Sequence, residues 1–183
     1  MRLVVVLPLR RLEVGEAFAL RDWPLHVTVA PTFVLDGPAR DAGSDDGCML
    51  DSAVLDSAVL EMVSAAIEGP LVECPSLRLL AAGDEGFGRS GAIPVTVVEP
   101  SVELDALHHL LVAALSDLGA RFDDPEFTGS GYRAHVTVRQ GRRVDTGDVL
   151  EPTQAVIVDM EPQGDARLRR VVWARDLGAA SQF

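Results

Sequence analysis

Two of the four histidines in the chain begin the same tetrapeptide, in the segments His26-Val27-Thr28-Val29 and His135-Val136-Thr137-Val138. Side chains alternate between the two faces of a β-strand, so the His and the Thr of each copy point the same way while the valines point into the core. If the two strands lie side by side, two imidazoles and two hydroxyls meet in one cleft. Either histidine alone is typical of a hydrogen-bonded residue in a half-buried strand, but the matched pair favours a functional site.

This group of side chains suits the cleavage of a phosphate diester. One neutral imidazole can remove a proton from an attacking water or hydroxyl, and the other, protonated, can give a proton to the leaving oxygen. Imidazole fits both roles because its reference pKa is about 6.5. The hydroxyls of Thr28 and Thr137 would hold the non-bridging oxygens as charge develops on them. We therefore expect His26 and His135 to be catalytic, in a reaction that requires no metal.

The second strand carries further candidates. Arg133 and Arg139 share the parity of His135, so both are expected to face the cleft, where a guanidinium fits a phosphate. Alternatively, Arg139 lies at a solvated strand end. Tyr132 has the opposite parity, and it either stacks on a base from the strand end or packs structurally. The predicted substrate-binding residues are Thr28, Thr137, Arg139, Arg133 and Tyr132.

Other chemical signals in the sequence are weaker. The side chains of His108-His109, in a leucine-rich helix, point about 100° apart and do not easily share one ligand. The segment Gly83–Gly91 lacks the Gly-Lys-Ser/Thr ending of a phosphate-binding loop and is more typical of a hairpin tip. A zinc site would need a third protein ligand beside His26 and His135, and no H-x-H or H-E-x-x-H spacing supplies one. We expect no metal and no cofactor.

The elements that must position these residues are strands alternating with helices. The predicted strands are Arg2–Leu9, Leu25–Phe33, Leu71–Ala82, Ala92–Glu99, Tyr132–Gln140, Ala155–Met160 and Leu168–Ala174. The predicted helices run from Asp51 or Ser52 to about Ile67 and from Ser101 to Leu118, and Asp36–Asp51 is predicted to be a loop. Each half of the chain has one His-Val-Thr-Val strand and one long helix, which predicts two similar lobes related by a pseudo-twofold axis.

Length and composition limit the classes of function. The chain has 183 residues, of which 48% are hydrophobic and 24% charged, as expected for one globular domain over residues 1–183. Its net charge is −12, and a body this acidic repels long nucleic acid duplexes but can hold a small anion at a local basic spot. No apolar run approaches the roughly 18 residues of a transmembrane helix, and Cys48 and Cys74 are too few for a disulfide framework. We expect a cytoplasmic monomer without membrane contact.

The paired His-x-Thr-x motifs resemble those of the 2H phosphoesterase superfamily, which includes the bacterial 2′-5′ RNA ligases and RNA 2′,3′-cyclic phosphodiesterases. The resemblance covers nearly the whole chain. It implies an α+β, bilobal fold, with two pseudo-twofold-related lobes of mostly antiparallel strands and with helices packed on the outside. It also implies a metal-independent phosphoesterase in which His26 and His135 are catalytic and Thr28 and Thr137 bind phosphate. The sequence departs from the family at Ala134, where Pro is frequent, and in its acidic charge.

We therefore expect a metal-independent phosphoesterase that hydrolyses a 2′,3′-cyclic or related nucleotide phosphodiester, with 2′-5′ RNA ligation as a further family activity. The expected partner is a small nucleotide or an RNA-end phosphate. One alternative is a non-catalytic protein that binds a nucleotide or a phosphorylated metabolite in the same cleft. Another is a metalloenzyme built on a duplicated lobe.

Overall fold

The computed structural model describes residues 1–35 and 52–178, and this part of the chain contains two α-helices and ten β-strands. The helices are α1 (Ser52–Glu73) and α2 (Val102–Asp117). The strands are β1 (Arg2–Pro8), β2 (Ala17–Ala19), β3 (His26–Val34), β4 (Leu79–Phe87), β5 (Ile93–Val98), β6 (Arg121–Phe122), β7 (His135–Thr137), β8 (Val149–Leu150), β9 (Gln154–Asp159) and β10 (Leu168–Asp176). The predicted loop Asp36–Asp51, with Cys48, lies outside the described residues.

The strands form one curled sheet in which every pairing is antiparallel. Their order is β2-β10-β9-β1-β3-β7-β5-β4-β8, and β6 pairs with the end of β3. The junction between β3 and β7 divides the sheet into two halves, each of which supplies one strand with a His-Val-Thr sequence. The two motif strands meet at a single residue pair, Val27 with Val136.

Both helices pack on one face of this sheet. The buried residues of α1 include Val59, Val63, Ile67 and Leu71, and those of α2 include Leu104, Leu107, Leu111 and Leu115. These rows pack in the main core against alternate residues of β1 and against buried residues of β3. Helix α1 continues past its predicted end near Ile67, through Pro70, because Leu71 extends the buried row by one more turn.

The opposite face of the sheet carries a second apolar cluster. Its members are Val4, Val6, Leu12, Trp23, Val156, Val158, Met160 and Val171. Strand β1 is therefore buried on both faces, which explains the unbroken apolar run from Leu3 to Leu7. Val6 pairs with Thr28 and Pro8 pairs with His26, so the polar residues of the first motif share this second face.

The structure confirms the predicted α+β fold of antiparallel strands with helices on the outside. The predicted strand Leu71–Ala82 is wrong in its first part, since α1 ends at Glu73, residues 74–78 are in neither a helix nor a strand, and β4 begins at Leu79. The sequence also does not predict β2, β6 and β8, which are too short to show a period. No helix within residues 1–35 and 52–178 is long and apolar enough to cross a membrane.

Candidate active site

The register of β3 and β7 brings the two motifs together on one face. Val27 and Val136, the central valines of the motifs, pair in antiparallel register and are both buried in the main core. The histidine of each motif therefore lies opposite the threonine of the other, and all four polar side chains are on the face away from that core. His26 and His135 are diagonal neighbours, a relationship that places residues about 7–8 Å apart.

A cavity of about 400 Å³ lies against this face. All seven residues that the sequence predicts for the site line it: His26, Thr28, Tyr132, Arg133, His135, Thr137 and Arg139. Much of the remaining lining is apolar or aromatic, with Trp23, Phe87, Phe127 and Met160 among its members. The cavity falls within the size range of small-molecule binding sites, which is about 300–1,000 Å³.

Both histidines are held in the same tautomer by their own backbone. The Nδ1 of His26 lies 2.7 Å from the carbonyl oxygen of Pro24, and the Nδ1 of His135 lies 2.8 Å from that of Arg133. A carbonyl oxygen can only accept, so Nδ1 carries the proton in both rings. In the neutral state the Nε2 of each ring is therefore a free base.

Burial lowers the pKa of both imidazoles. The pKa of His26, which is 8% exposed, is lowered to about 4, mainly by desolvation and further by the charges of Arg139 and His135, against the opposing effect of the Pro24 carbonyl. The pKa of His135 is lowered mainly by burial and also by the charge of Arg133. Both rings are therefore neutral at pH 7 in the unliganded protein, and an anion between them would favour a proton on one.

An aromatic ring packs on each histidine. The ring of Trp23 lies 4.3 Å from that of His26, between centroids, and Phe87 lies 4.7 Å from His135. Neither aromatic residue is predicted for the site from the sequence. Trp23 precedes the first motif by three positions, but no spacing rule marks it. Phe87 lies on β4, and its place near the second motif depends on the order of the strands in the sheet.

Arg133 and Arg139, which lie on either side of the second motif in the chain, both line the cavity. They differ in burial and in ion pairing. The guanidinium carbon of Arg139 is 5.5 Å from the centre of the Trp23 ring, and that of Arg133 is 5.1 Å from the centre of Phe87. Arg133 is exposed and donates to Glu85 over 2.7 Å. Arg139 is half-buried, its pKa is lowered by that burial, and no carboxylate within residues 1–35 and 52–178 forms an ion pair with it.

Tyr132 forms part of the cavity wall, but its polar atom is directed to the protein backbone. Its hydroxyl donates to the carbonyl oxygen of Thr28 over 2.9 Å, and its ring stacks on His108. His109, the next residue of α2, is exposed and hydrogen-bonds to the backbone of its own helix.

Among the residues that the structure describes, no three His, Cys, Asp or Glu side chains come together to hold a metal ion.

Comparison with known proteins shows the family to which the chain belongs. A model of the 2′-5′ RNA ligase superfamily matches residues 7–178. The protein TT0787 of Thermus thermophilus has a similar fold, with a TM-score of 0.51 and 15% identity over 97% of this chain and 98% of that chain. E. coli LigT, solved in complex with NADP+, has a TM-score of 0.50 and 13% identity over the same shares of the two chains. No curated protein matches the sequence significantly. Because the family model matches almost the full length, the chain belongs to the 2′-5′ RNA ligase superfamily.

Proposed function

We propose that this protein is a phosphoesterase that opens the 2′,3′-cyclic phosphate of a nucleotide or an RNA end by two-histidine acid–base catalysis. The observation that carries the proposal is the matched state of His26 and His135. Each ring has its Nδ1 proton bound to a backbone carbonyl and lines the same cavity. Membership of the superfamily supports phosphoesterase or ligase chemistry in general.

In the proposed reaction, the neutral Nε2 of one histidine removes a proton from water as the water oxygen attacks phosphorus. The protonated Nε2 of the other gives its proton to the 2′ or the 3′ oxygen as the bond from that oxygen to phosphorus breaks. One P–O bond forms, one breaks, and the product is a phosphate monoester. The diagonal spacing of about 7–8 Å leaves room for one phosphate between the two rings.

Three further groups are suited to the charge that develops on the non-bridging oxygens. Thr28 and Thr137 each lie opposite the histidine of the other motif and line the cavity, where their hydroxyls could donate to a phosphate. Arg139 adds a half-buried guanidinium without a carboxylate partner in the described part of the chain. Donors already in place when charge develops stabilise the transition state more than the ground state.

The charge distribution favours a short ligand. The whole chain carries a net charge of −12, which disfavours a long nucleic acid along the surface. Within the cavity, Arg139 provides a local cation that a phosphate can reach. A mononucleotide or a short RNA end meets both conditions. With an RNA 5′-hydroxyl in place of water, the same proton transfers would join two RNA ends by a 2′-5′ bond.

The experiment is a substrate screen with product identification. Adenosine, guanosine, cytidine and uridine 2′,3′-cyclic phosphates, and short RNAs that end in this group, are incubated with the protein in the presence of EDTA. Turnover that survives EDTA and is unaffected by His109→Ala supports the proposal. Binding without turnover would instead favour the non-catalytic alternative, and loss of turnover on chelation would favour a metalloenzyme.

A further inference from the structure

The first motif is followed at once by an irregularity in its own strand. The register between β1 and β3 steps from the pair Val6–Thr28 to the pair Val5–Ala30. Val29 is therefore an extra residue on β3, and Val29 and Ala30 are both fully buried, although consecutive residues of a regular strand face opposite sides. This is a β-bulge next to Thr28, and bulges beside active sites re-aim the neighbouring side chains.

Strand β1 pairs with β3 on both sides of this bulge, and two side chains also bind the β3 backbone there. Strand β7 pairs with β3 before the bulge and β6 pairs with it after the bulge. Between them, the hydroxyl of Tyr132 donates to the carbonyl oxygen of Thr28 over 2.9 Å. The Nδ1 of His108 donates to the carbonyl oxygen of Val29, also over 2.9 Å. Two consecutive carbonyl groups are thus held by two side chains from elsewhere in the fold.

The side chains of the two donors, His108 and Tyr132, also pack against each other. The rings of His108 and Tyr132 stack with centroids 3.8 Å apart and an interplanar angle of 5°. His108 lies on α2 and is fully buried, and Tyr132 lies three residues before His135 in the chain. The stacked pair therefore joins the strand of the first motif, α2 and the segment that leads into the second motif.

We propose that His108 and Tyr132 are positioning residues that fix Thr28 relative to the second motif. The inference rests on the proposed function, because it assigns Thr28 to the phosphate. Neither residue needs to touch the reacting atoms. His108 acts through Val29 and Tyr132 acts through the backbone of Thr28. Because the two motif strands meet at one residue pair, these contacts add a second connection between them.

The first test separates the hydroxyl of Tyr132 from its ring. Tyr132→Phe keeps the stack on His108 and removes only the hydrogen bond to Thr28. We expect kcat on a 2′,3′-cyclic nucleotide to fall roughly ten- to a hundredfold, with KM changed by less than about twofold, as for a small misplacement of a catalytic group. His108→Asn retains an N–H donor near the position of Nδ1, whereas His108→Phe retains the ring and loses the donor, so the Asn variant should keep more activity than the Phe variant.

A double-mutant cycle shows whether the effect passes through Thr28. In a Thr28→Val background the hydroxyl of Thr28 is already gone, so Tyr132→Phe should lower kcat by less than about threefold. A purely structural role would lower kcat by the same factor in both backgrounds, and that result would overturn the proposal. His109→Phe is the matched control, because His109 is the exposed neighbour on the same helix. It should change neither kcat nor KM by more than about twofold.

A measurement without substrate keeps this proposal separate from the proposed function. In amide NMR spectra, Tyr132→Phe and His108→Phe should shift the signals of residues 26–30, while His109→Phe should leave them unchanged. Unchanged signals in the first two variants would overturn the positioning role. If these signals shift but no cyclic nucleotide is opened by the wild-type protein, the proposed function fails and the positioning of the motif stands.

Discussion

His26 and His135 make the same hydrogen bond, each from Nδ1 to the backbone carbonyl of the residue two positions earlier in the chain. The accepting residues, Pro24 and Arg133, are of different types, and in both the acceptor is the backbone carbonyl. The repeated geometry fixes one tautomer at both rings, so that each offers Nε2 to the same cavity. Two imidazoles in the same tautomer can exchange the roles of acid and base between the forward and the reverse reaction.

The packing around the two rings repeats as well. Trp23 lies on His26 with the guanidinium of Arg139 over it, and Phe87 lies on His135 with the guanidinium of Arg133 over it. Arg139 follows the second motif in the chain but covers the aromatic residue of the first. The two halves of the site therefore depend on each other for their packing.

The first prediction concerns the stability of the fold against pH. The pKa of His26 is about 4 in the folded protein and about 6.5 when unfolded. The unfolded chain therefore binds the extra proton between these values, and the free energy of unfolding should fall as pH drops from about 6.5 to 4, by about 3 kcal/mol from this residue. Urea unfolding at several pH values should show a shallower fall for His26→Asn, which cannot titrate. Equal falls in the two proteins would contradict the buried neutral state.

The second prediction concerns the rate against pH. The productive protein has one neutral and one protonated imidazole, so kcat/KM should pass through a maximum. Burial lowers the pKa of both rings in the free protein, which places this maximum below about pH 6.5. A bound phosphate raises both pKa values, so the maximum of kcat should lie at higher pH than that of kcat/KM. The two limbs belong to the coupled pair, and profiles with the opposite order would refute this account.

The third prediction compares two arginines of the same cavity. Arg139→Gln removes a guanidinium that no carboxylate pairs within the described residues, whereas Arg133→Gln removes one that is already bound to Glu85. We expect the first change to weaken the binding of inorganic phosphate by about tenfold and the second to weaken it by less than about threefold. Titration calorimetry on both variants measures the difference. Equal losses would show that the ion pair with Glu85 does not neutralise Arg133.

Much of this site could be predicted from the period of a strand. The alternation of side chains places His135, Thr137 and Arg139 on one face without any knowledge of the fold, and the structure puts all three in one cavity. The same reasoning fails for Phe87, because its place beside His135 depends on the order of β4, β5 and β7 in the sheet. Sheet order is a long-range property that the local pattern does not encode.

The position of His108 could not be predicted for a related reason. In the sequence it is one more residue of an amphipathic helix, with a neighbour of the same type. Its partner is the carbonyl of Val29, which a bulge in β3 makes available to it. A bulge inserts one residue without changing the composition of the strand, so the sequence shows neither the shift in register nor the acceptor it creates.

The central claim is that His26 and His135 perform the chemistry, and one measurement tests it most directly. The conversion of adenosine 2′,3′-cyclic phosphate is followed by ³¹P NMR with the wild-type protein, with His26→Asn and with His135→Asn. Asparagine can keep the hydrogen bond that Nδ1 makes but has no titrating Nε2. Each single variant should react about 10² to 10⁴ times more slowly, and the double variant should lose less than the product of the two effects. A double variant that folds normally and opens the cyclic phosphate at the wild-type rate would contradict the account.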